Sequence, residues 1–428
     1  DSLKTLMAMP LERRSFGSDE AVGWAESKVG VALTEQQKRA IRQAVESKVS
    51  VITGGPGTGK TTILKGVLSI LEALKARVVL AAPTGRAAKR LSETTGHPAQ
   101  TLHRLLDFKP GVGRFSRDQD RPLEADAVIV DEVSMVDVSL MYHLLKAIPR
   151  KASLLLVGDA DQLPSVGPGS VLRDILDSGV VPAAFLSDIF RQGERSQIVE
   201  QAHRINQGLM PRSKNKEKRS DFYVVTADDP DRAADLIVRL CAERIPRSFG
   251  LDPMRDVQVL CPMNRGSVGA NALNARLQER LNPTGEAVTR FGRTFRGGDR
   301  VLQTVNNYDK GVFNGDLGWV TGISMDQGAM SVTYDDQGVE YDFSELDELL
   351  PAYAISVHRS QGSEFPAVVI PVVTQHYPLL QRNLLYTAVT RARKLAVIVG
   401  SQKAVAIAVK SQDAGERHTA LARRLKPR

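Results

Sequence analysis

The sequence predicts an α/β protein in which two open parallel sheets are covered by helices and a small β-barrel is inserted into the second. Apolar runs of strand length alternate with amphipathic stretches of helix length from residue 49 to 178 and again from 222 to 400. That is the pattern of parallel strands buried on both faces. Between 292 and 350 the period changes to short alternating strands separated by Gly, Asn and Asp turns, as in antiparallel hairpins. The chain has 428 residues, more than the roughly 100–200 of a usual single domain.

Residues 1–30 read as a polar, helix-capable lead-in with a loop at 13–19. The first sheet is expected from strands at 49–53, 77–83, 127–132 and 153–159, with helices at 60–75, 84–95, 137–148 and 170–178. The second takes strands at 222–226, 257–262, 368–373 and 395–400, with helices at 196–207, 230–243, 266–281 and 381–392. Barrel strands are expected at 300–305, 318–324, 330–334 and 339–343. The domain reading is therefore 1–30 lead-in, 31–187 first domain, 188–291 with 351–428 second domain, and 292–350 inserted barrel. Residues 108–123 carry Pro110, Gly111 and Gly113 between two polar arms and read as either a protruding hairpin or a disordered loop. The basic run 212–219 reads as a solvated loop.

Against 49 acidic residues stand 57 basic ones, a net charge of +8, which favours a polyanionic partner without demanding one. No apolar run approaches the roughly 18 residues of a membrane span, so the expectation is a chain without membrane association, in the cytoplasm. Cys241 and Cys261 lie in apolar stretches without metal or disulfide spacing and read as core thiols. The start at Asp1 shows neither an initiator methionine nor a secretory signal, so the chain reads as a piece of something longer.

Between the first strand and its helix, Gly54-Gly55-Pro56-Gly57-Thr58-Gly59-Lys60-Thr61 matches the phosphate-binding pattern G-x-x-x-x-G-K-[ST] in the context that pattern requires. Its glycines let backbone N–H groups curl around phosphates at a helix N-terminus, Lys60 reaches the β- and γ-phosphates, and Thr61, followed by Thr62, supplies a hydroxyl for Mg2+. The nucleotide set is Gly55, Pro56, Gly57, Thr58, Gly59, Lys60, Thr61 and Thr62, with ATP and Mg2+ as substrate and cofactor. A strand end must then provide a metal-side carboxylate and a group that activates water. Asp131 and Glu132, after the apolar run 127–130, fit as magnesium partner and general base, although an acidic pair there also suits a helix N-cap. At the next strand end Gln162 is a candidate γ-phosphate sensor or a plain polar loop residue.

These motifs, with residues 386–393, resemble motifs I, II, III and VI of superfamily-1 helicases. The stretch 33–37 resembles the Q motif, which makes Gln37 the candidate reader of adenine. Residues 82–88 and 101–106 look like motifs Ia and Ib, 190–192 like motif IV and 357–364 like motif V. Within that superfamily, the Ala-Pro-Thr-Gly-Arg-Ala-Ala form of motif Ia and the block 307–316 look most like the RecD-like DNA helicases, the exonuclease V alpha-subunit family of the 5′→3′ class. The resemblance spans residues 33 to 393, most of the chain. It implies two RecA-like P-loop motor domains, an SH3-like barrel, and a strand-separating pin at 108–123.

It also implies that Arg191 and Arg391 act as arginine fingers from the second domain, completing an ATP site between two sheets, with catalytic residues Lys60, Asp131, Glu132, Gln162, Arg191 and Arg391. Glu364 would contact the nucleotide sugar. Thr84, Arg86, Thr101, His103, Asn264, His358 and Ser360 would contact DNA, mainly its phosphates. Phe108, Phe115, Tyr308 and Phe313 are candidates for base stacking. The implied partners are single-stranded DNA and junctions with a 5′ tail, met by a monomer. Two rival readings share the ATP motifs: a superfamily-1 RNA helicase, and a P-loop ATPase that remodels a protein partner.

Overall fold

The computed structural model describes residues 2–11, 17–109, 111–187, 196–213, 220–335, 337–411, 417 and 419–426. The chain divides into unit 1, Asp1–Glu194 with Gly415–Arg428, and unit 2, Arg195–Ala414.

Unit 1 is built on six parallel strands: β1 Val49–Gly54, β2 Val78–Ala82, β3 Ala99–Thr101, β6 Ala127–Val130, β7 Ser153–Gly158 and β8 Ala183–Leu186, with β4 Phe108–Lys109 and β5 Arg114–Phe115 set apart as a hairpin. The sheet order is β3-β2-β6-β7-β1-β8. Successive residues point to opposite faces of a strand, so one set of side chains joins one core and the next set joins the other. Val128, Val130, Leu154 and Leu156 pack with the helix Val138–Ala147. Ala127, Ile129, Leu155 and Val157 pack with Ile63, Val67 and Leu71 of the helix Lys60–Ala73. Burial on both faces is why these strands read as unbroken apolar runs. Three strands of the two parallel sheets escaped the sequence reading, β3, β8 and, in unit 2, Ala354–Ser356, each only three or four residues long.

The hairpin is much shorter than residues 108–123. Phe108 pairs with Phe115 and Lys109 with Arg114; residues 116–123 return as turns, where Ser116 N donates to the Leu106 and Asp107 carbonyls. Of the expected N-terminal loop 13–19, residues 13–16 lie outside the described residues, and Asp19 already lies inside a helix, Ser18–Val29.

Unit 2 holds a second parallel sheet of β9 Phe222–Thr226, β10 Val257–Cys261, β18 Ala354–Ser356, β19 Phe365–Val372 and β20 Ala392–Gly400, in the order β18-β10-β19-β20-β9. Cys261 and Cys241 are buried in its core, and burial pushes the Cys241 thiol up to about 12. Between β10 and β18 the chain forms the hairpin β11 Ala287–Arg290 and β12 Arg293–Arg296. It then forms an antiparallel sheet of β13 Arg300–Gln303, β14 Leu317–Ser324, β15 Ala329–Tyr334, β16 Gln337–Asp342 and β17 Leu349–Pro351. The fully buried Asp299 fixes this insertion to the helix Ala270–Leu281. Its carboxylate accepts from Gln278 Nε2 at 2.5 Å, Asn282 Nδ2 at 2.7 Å, Tyr353 Oη at 2.7 Å and Arg296 N at 2.7 Å. A buried charge is tolerated only with such full pairing.

The C-terminal residues, expected in the second domain as part of 351–428, differ from that reading. From Gly415 onward they belong to unit 1. Leu425 joins the core containing Leu3, Leu6 and Ile175, and Lys4 Nζ donates to the Lys426 carbonyl at 3.3 Å.

Candidate functional site

Parallel register puts five loops of unit 1 on one edge. Ala82 lies opposite Thr101, Ala81 opposite Val130, Val130 opposite Leu156, and Thr53 opposite Gly158. The carboxyl-end loops of β3, β2, β6, β7 and β1 therefore leave side by side, where open α/β sheets bind ligands.

At the end of β1, a Cβ on Gly54 would stand 2.7 Å from the Leu186 carbonyl, so only glycine fits. Gly57 and Gly59 adopt φ of 74° and 86°, a region that glycine enters without penalty. Gly59 caps the helix Lys60–Ala73 and aims the helix N-terminus into the loop. Thr58 Oγ1 donates to the Gly55 carbonyl at 2.8 Å. Lys60 Nζ donates to the Gly54 carbonyl and, at 2.9 Å, to that of Gly55, holding the ammonium within the loop. Gly55 is buried, Pro56 and Thr62 are half-buried, and Gly57 and Thr61 are exposed.

Gln37 is buried, and both ends of its amide have protein partners. Oε1 accepts from Thr34 N at 3.1 Å in a capping box, and Nε2 donates to the Thr58 carbonyl at 3.2 Å. The side chain expected to read adenine thus ties its helix to the phosphate loop.

Asp131 and Glu132 follow β6. Asp131 Oδ1 accepts the Glu132 amide at 2.9 Å. Burial first, and then the charge of Glu132, push the Asp131 carboxyl up to about 6, while Lys60 and Arg90 pull it back. Glu132 has φ 53°, an uncommon conformation for a residue with a side chain. The N-cap alternative does not hold for Glu132, which makes no side-chain cap hydrogen bond to the turn Val133–Met135. The helix that follows is capped instead by Asp137, whose Oδ1 accepts from Leu140 N at 2.8 Å.

Gln162 is buried, and its Nε2 donates to Asp159 Oδ2 at 3.2 Å. Asp159, itself buried, also accepts Asp161 N at 3.0 Å. A Cβ on Gly158 would lie 3.2 Å from Val133 N, so the end of β7 presses against the turn that follows Glu132.

Thr84 and Thr101 each cap a helix, accepting from Ala87 N at 3.3 Å and Arg104 N at 3.2 Å. Arg86 is half-buried one turn before Arg90. His103 sits between Phe108 at 5.5 Å and Phe115 at 5.7 Å, and Phe115 continues to His143 at 4.5 Å. Burial lowers the His103 pKa, opposed by Asp137. The hairpin is thereby braced by rings at its base.

In unit 2 the candidates separate. Asn264 and His358 are exposed just beyond the carboxyl ends of β10 and β18, which are neighbours with Cys261 opposite Ser356. Glu364 and Arg391 precede the amino ends of β19 and β20, where Phe365 lies opposite Ala392. Glu364 accepts from Arg393 Nε at 2.9 Å. Arg391 is buried, donating to the carbonyls of Thr387 at 3.3 Å and Ser363 at 3.2 Å. Ser360 is fully buried with its hydroxyl donated to the Val357 carbonyl at 2.7 Å. A strand contact at that position would therefore have to come from the backbone rather than the side chain. Tyr308 is exposed and meets Phe313 edge-on at 5.8 Å. Arg191 lies outside the described residues, as do 190 and 192 of the motif around it.

Two residues near the phosphate loop were missed by sequence reasoning. Arg90, whose charge reaches Asp131, was legible from its one-turn spacing after Arg86. Asp159 stands in the same turn as Gln162, but its role as the partner of that side chain appears only in the fold. Among the described residues no cluster of three or more His, Cys, Asp or Glu side chains could hold a metal ion. Magnesium shared between few protein oxygens and phosphates needs none.

Three family profiles match the chain: an AAA domain over 37–168, a UvrD-like helicase C-terminal domain over 351–399, and the SH3 domain of ATP-dependent RecD-like DNA helicases over 273–334. The ATP-dependent RecD2 DNA helicase of Deinococcus radiodurans is 39% identical over 99% of the chain, which spans 56% of that relative's length. The RecBCD enzyme subunit RecD of Mycobacterium tuberculosis is 33% identical over 88% of the chain and 70% of the relative. In Mycolicibacterium smegmatis the same subunit is 33% identical, with 92% and 75% covered. Among solved structures, Pif1 helicase from Bacteroides in complex with ADP-AlF3 and ssDNA aligns with a TM-score of 0.52 and 21% identity, covering 86% of this chain and 92% of that one. Pif1 from Candida albicans aligns with a TM-score of 0.52 and 18% identity, covering 90% and 98%. At these identities the structural likeness concerns the fold.

Proposed function

Because the chain belongs to the RecD-like family of DNA helicases, we propose that it is an ATP-driven motor that moves 5′→3′ on single-stranded DNA and separates duplex strands ahead of it. The observation that carries this reading is the single edge of unit 1 on which the phosphate loop, Asp131 with Glu132, Gln162, and the Thr84 and Thr101 loops all emerge. Nucleotide and track candidates on neighbouring strand ends give hydrolysis a short route to strand grip.

In this mechanism Lys60 and the P-loop amides hold the phosphates, and Thr61 and Asp131 hold Mg2+. Their oxygens suit a hard cation, and a cation beside Asp131 offsets the burial and the Glu132 charge that raise its pKa. Bound Mg2+ neutralises charge on the β- and γ-phosphates. Glu132 takes the proton of the attacking water, Gln162 senses the γ-phosphate, and Arg391 with Arg191 stabilises charge on the transferring group. In this reading Gln37, seated on the phosphate loop, is the residue assigned to adenine, and Glu364 is the residue assigned to the sugar. Thr84, Arg86, Thr101, His103, Asn264 and His358, with the backbone at Ser360, grip the strand without reading sequence. The protein acts as a monomer in the cytoplasm and engages junctions with a 5′ tail.

Strand displacement on duplexes carrying either a 5′ or a 3′ single-stranded tail tests the reading. Unwinding only with the 5′ tail is expected. Unwinding only with the 3′ tail would reverse the polarity, and ATPase stimulation by RNA but not DNA would replace the track. Stimulation by neither polymer would favour the protein-remodelling alternative.

The hairpin supplies a second prediction. Its ring-braced base gives a projection between strands a rigid footing. Replacing Lys109–Arg114 by a short Gly-Ser turn is expected to lower unwinding at least about tenfold while DNA-stimulated ATPase stays within twofold, as befits a wedge outside the ATP site. Full unwinding by a well-folded variant would remove the pin.

A further inference from the structure

We propose that Arg417, on the C-terminal tail, is a positioning residue for ATP hydrolysis: it locks the loop after Gln162 and so holds that side chain in its working place. The inference rests on the reading of Gln162 as the γ-phosphate sensor.

The geometry is local to unit 1. Arg417 Nη1 donates to the Gly167 carbonyl at 2.7 Å and the Gly169 carbonyl at 2.8 Å, and lies 3.4 Å from Ser165 Oγ. One guanidinium nitrogen thus closes a ring of acceptors, and a cationic donor strengthens each bond. The clamped loop has little freedom. A Cβ on Gly167 would meet Asp137 Oδ2 at 2.0 Å, and one on Gly169 would meet Val138 Cγ2 at 2.4 Å. Val138 N donates to the Pro168 carbonyl at 3.0 Å. The loop is therefore wedged against the N-terminus of the helix that follows Glu132, and Ser165 within it is buried.

The next helix, Val171–Ser178, braces the Gln162 turn from its other side, since Arg173 Nη2 donates to the Ala160 carbonyl at 3.4 Å. That helix is covered in turn by the tail, with Leu425 in the core beside Ile175. Arg417 thus ties the tail to the loop that runs from the Gln162 turn to the N-terminus of the helix after Glu132. The tail belongs to unit 1 although it follows unit 2 in the chain.

Arg417→Met keeps the aliphatic stem and removes the donors. It is expected to lower kcat for DNA-stimulated ATP hydrolysis about tenfold, as small misplacements near reacting groups do, with KM for ATP within twofold. Arg417→Lys, whose ammonium also presents three donors, is expected to recover most of that loss. The deciding measurement is a double-mutant cycle with Gln162→Ala. If Arg417 acts through Gln162, Arg417→Met costs less than twofold in the Gln162→Ala background. An equal loss in both backgrounds, or no loss in either, overturns the assignment. So does a loss that Arg417→Lys fails to recover although its melting temperature matches the wild type. Absence of ATP turnover in the wild-type chain would instead remove the helicase reading itself, and this proposal with it.

Discussion

Lys60→Ala is expected to stop ATP turnover, by at least about a thousandfold, the scale on which preorganised positive charge acts on a transferring phosphoryl group. The ammonium lies inside the loop, bonded to the Gly54 and Gly55 carbonyls, and its charge is felt at Asp131. Removing it takes away the one side-chain cation of the loop and leaves the backbone cradle, whose shape is set by Gly54, Gly57 and Gly59. The variant should fold, because the helix Lys60–Ala73 is held by Ile63, Leu64, Val67 and Leu71 in the core rather than by Lys60. Strand affinity, measured by fluorescence anisotropy without nucleotide, should stay within about threefold, since the residues proposed to contact strand phosphates lie on other loops. Wild-type turnover would dismiss the P-loop assignment. Lost strand binding with intact folding would place part of the track on Lys60.

What could be read from the sequence divides along physical lines. The phosphate loop was legible because its chemistry is local: glycine conformations, a helix start and a lysine at fixed offsets. The long buried strands were legible because burial on both faces leaves continuous apolar runs, as in β7, where all six residues are buried. β3 was not, since Ala-Gln-Thr carries no apolar signal and is a strand only through its pairing with β2. The tail escaped for a related reason. Leu421–Leu425 is five residues with two arginines, and its partners Leu3, Leu6 and Ile175 come from elements far away in sequence. Site residues follow the same rule. Motif spacing picked out Ser360 and Gln37, but that Ser360 bonds inward to Val357 and that Gln37 seats the phosphate loop are tertiary facts. No periodicity carries them.

Glu132→Gln is expected to bind ATP and magnesium yet lose at least about a hundredfold in turnover, the usual cost of removing a general base. The substitution is close to isosteric and keeps the backbone amide that donates to Asp131 Oδ1. Glu132 holds φ 53°, and glutamine bears that conformation no worse than glutamate because the Cβ, which causes the strain, is unchanged. What changes is charge and basicity. An amide cannot accept the proton of water, so the chemical step slows. The charge of Glu132 is also one cause of the raised Asp131 pKa, so removing it favours the ionised Asp131 and should leave metal-nucleotide affinity equal or slightly tighter. Turnover is thus expected to fall with no loss of affinity, which a merely destabilised site would not produce. Equilibrium binding of a fluorescent ATP analogue, set beside single-turnover hydrolysis, separates the two quantities. Weaker nucleotide binding with a proportionate fall in rate would make Glu132 a structural residue and send the search for the base to another group on the same strand edge.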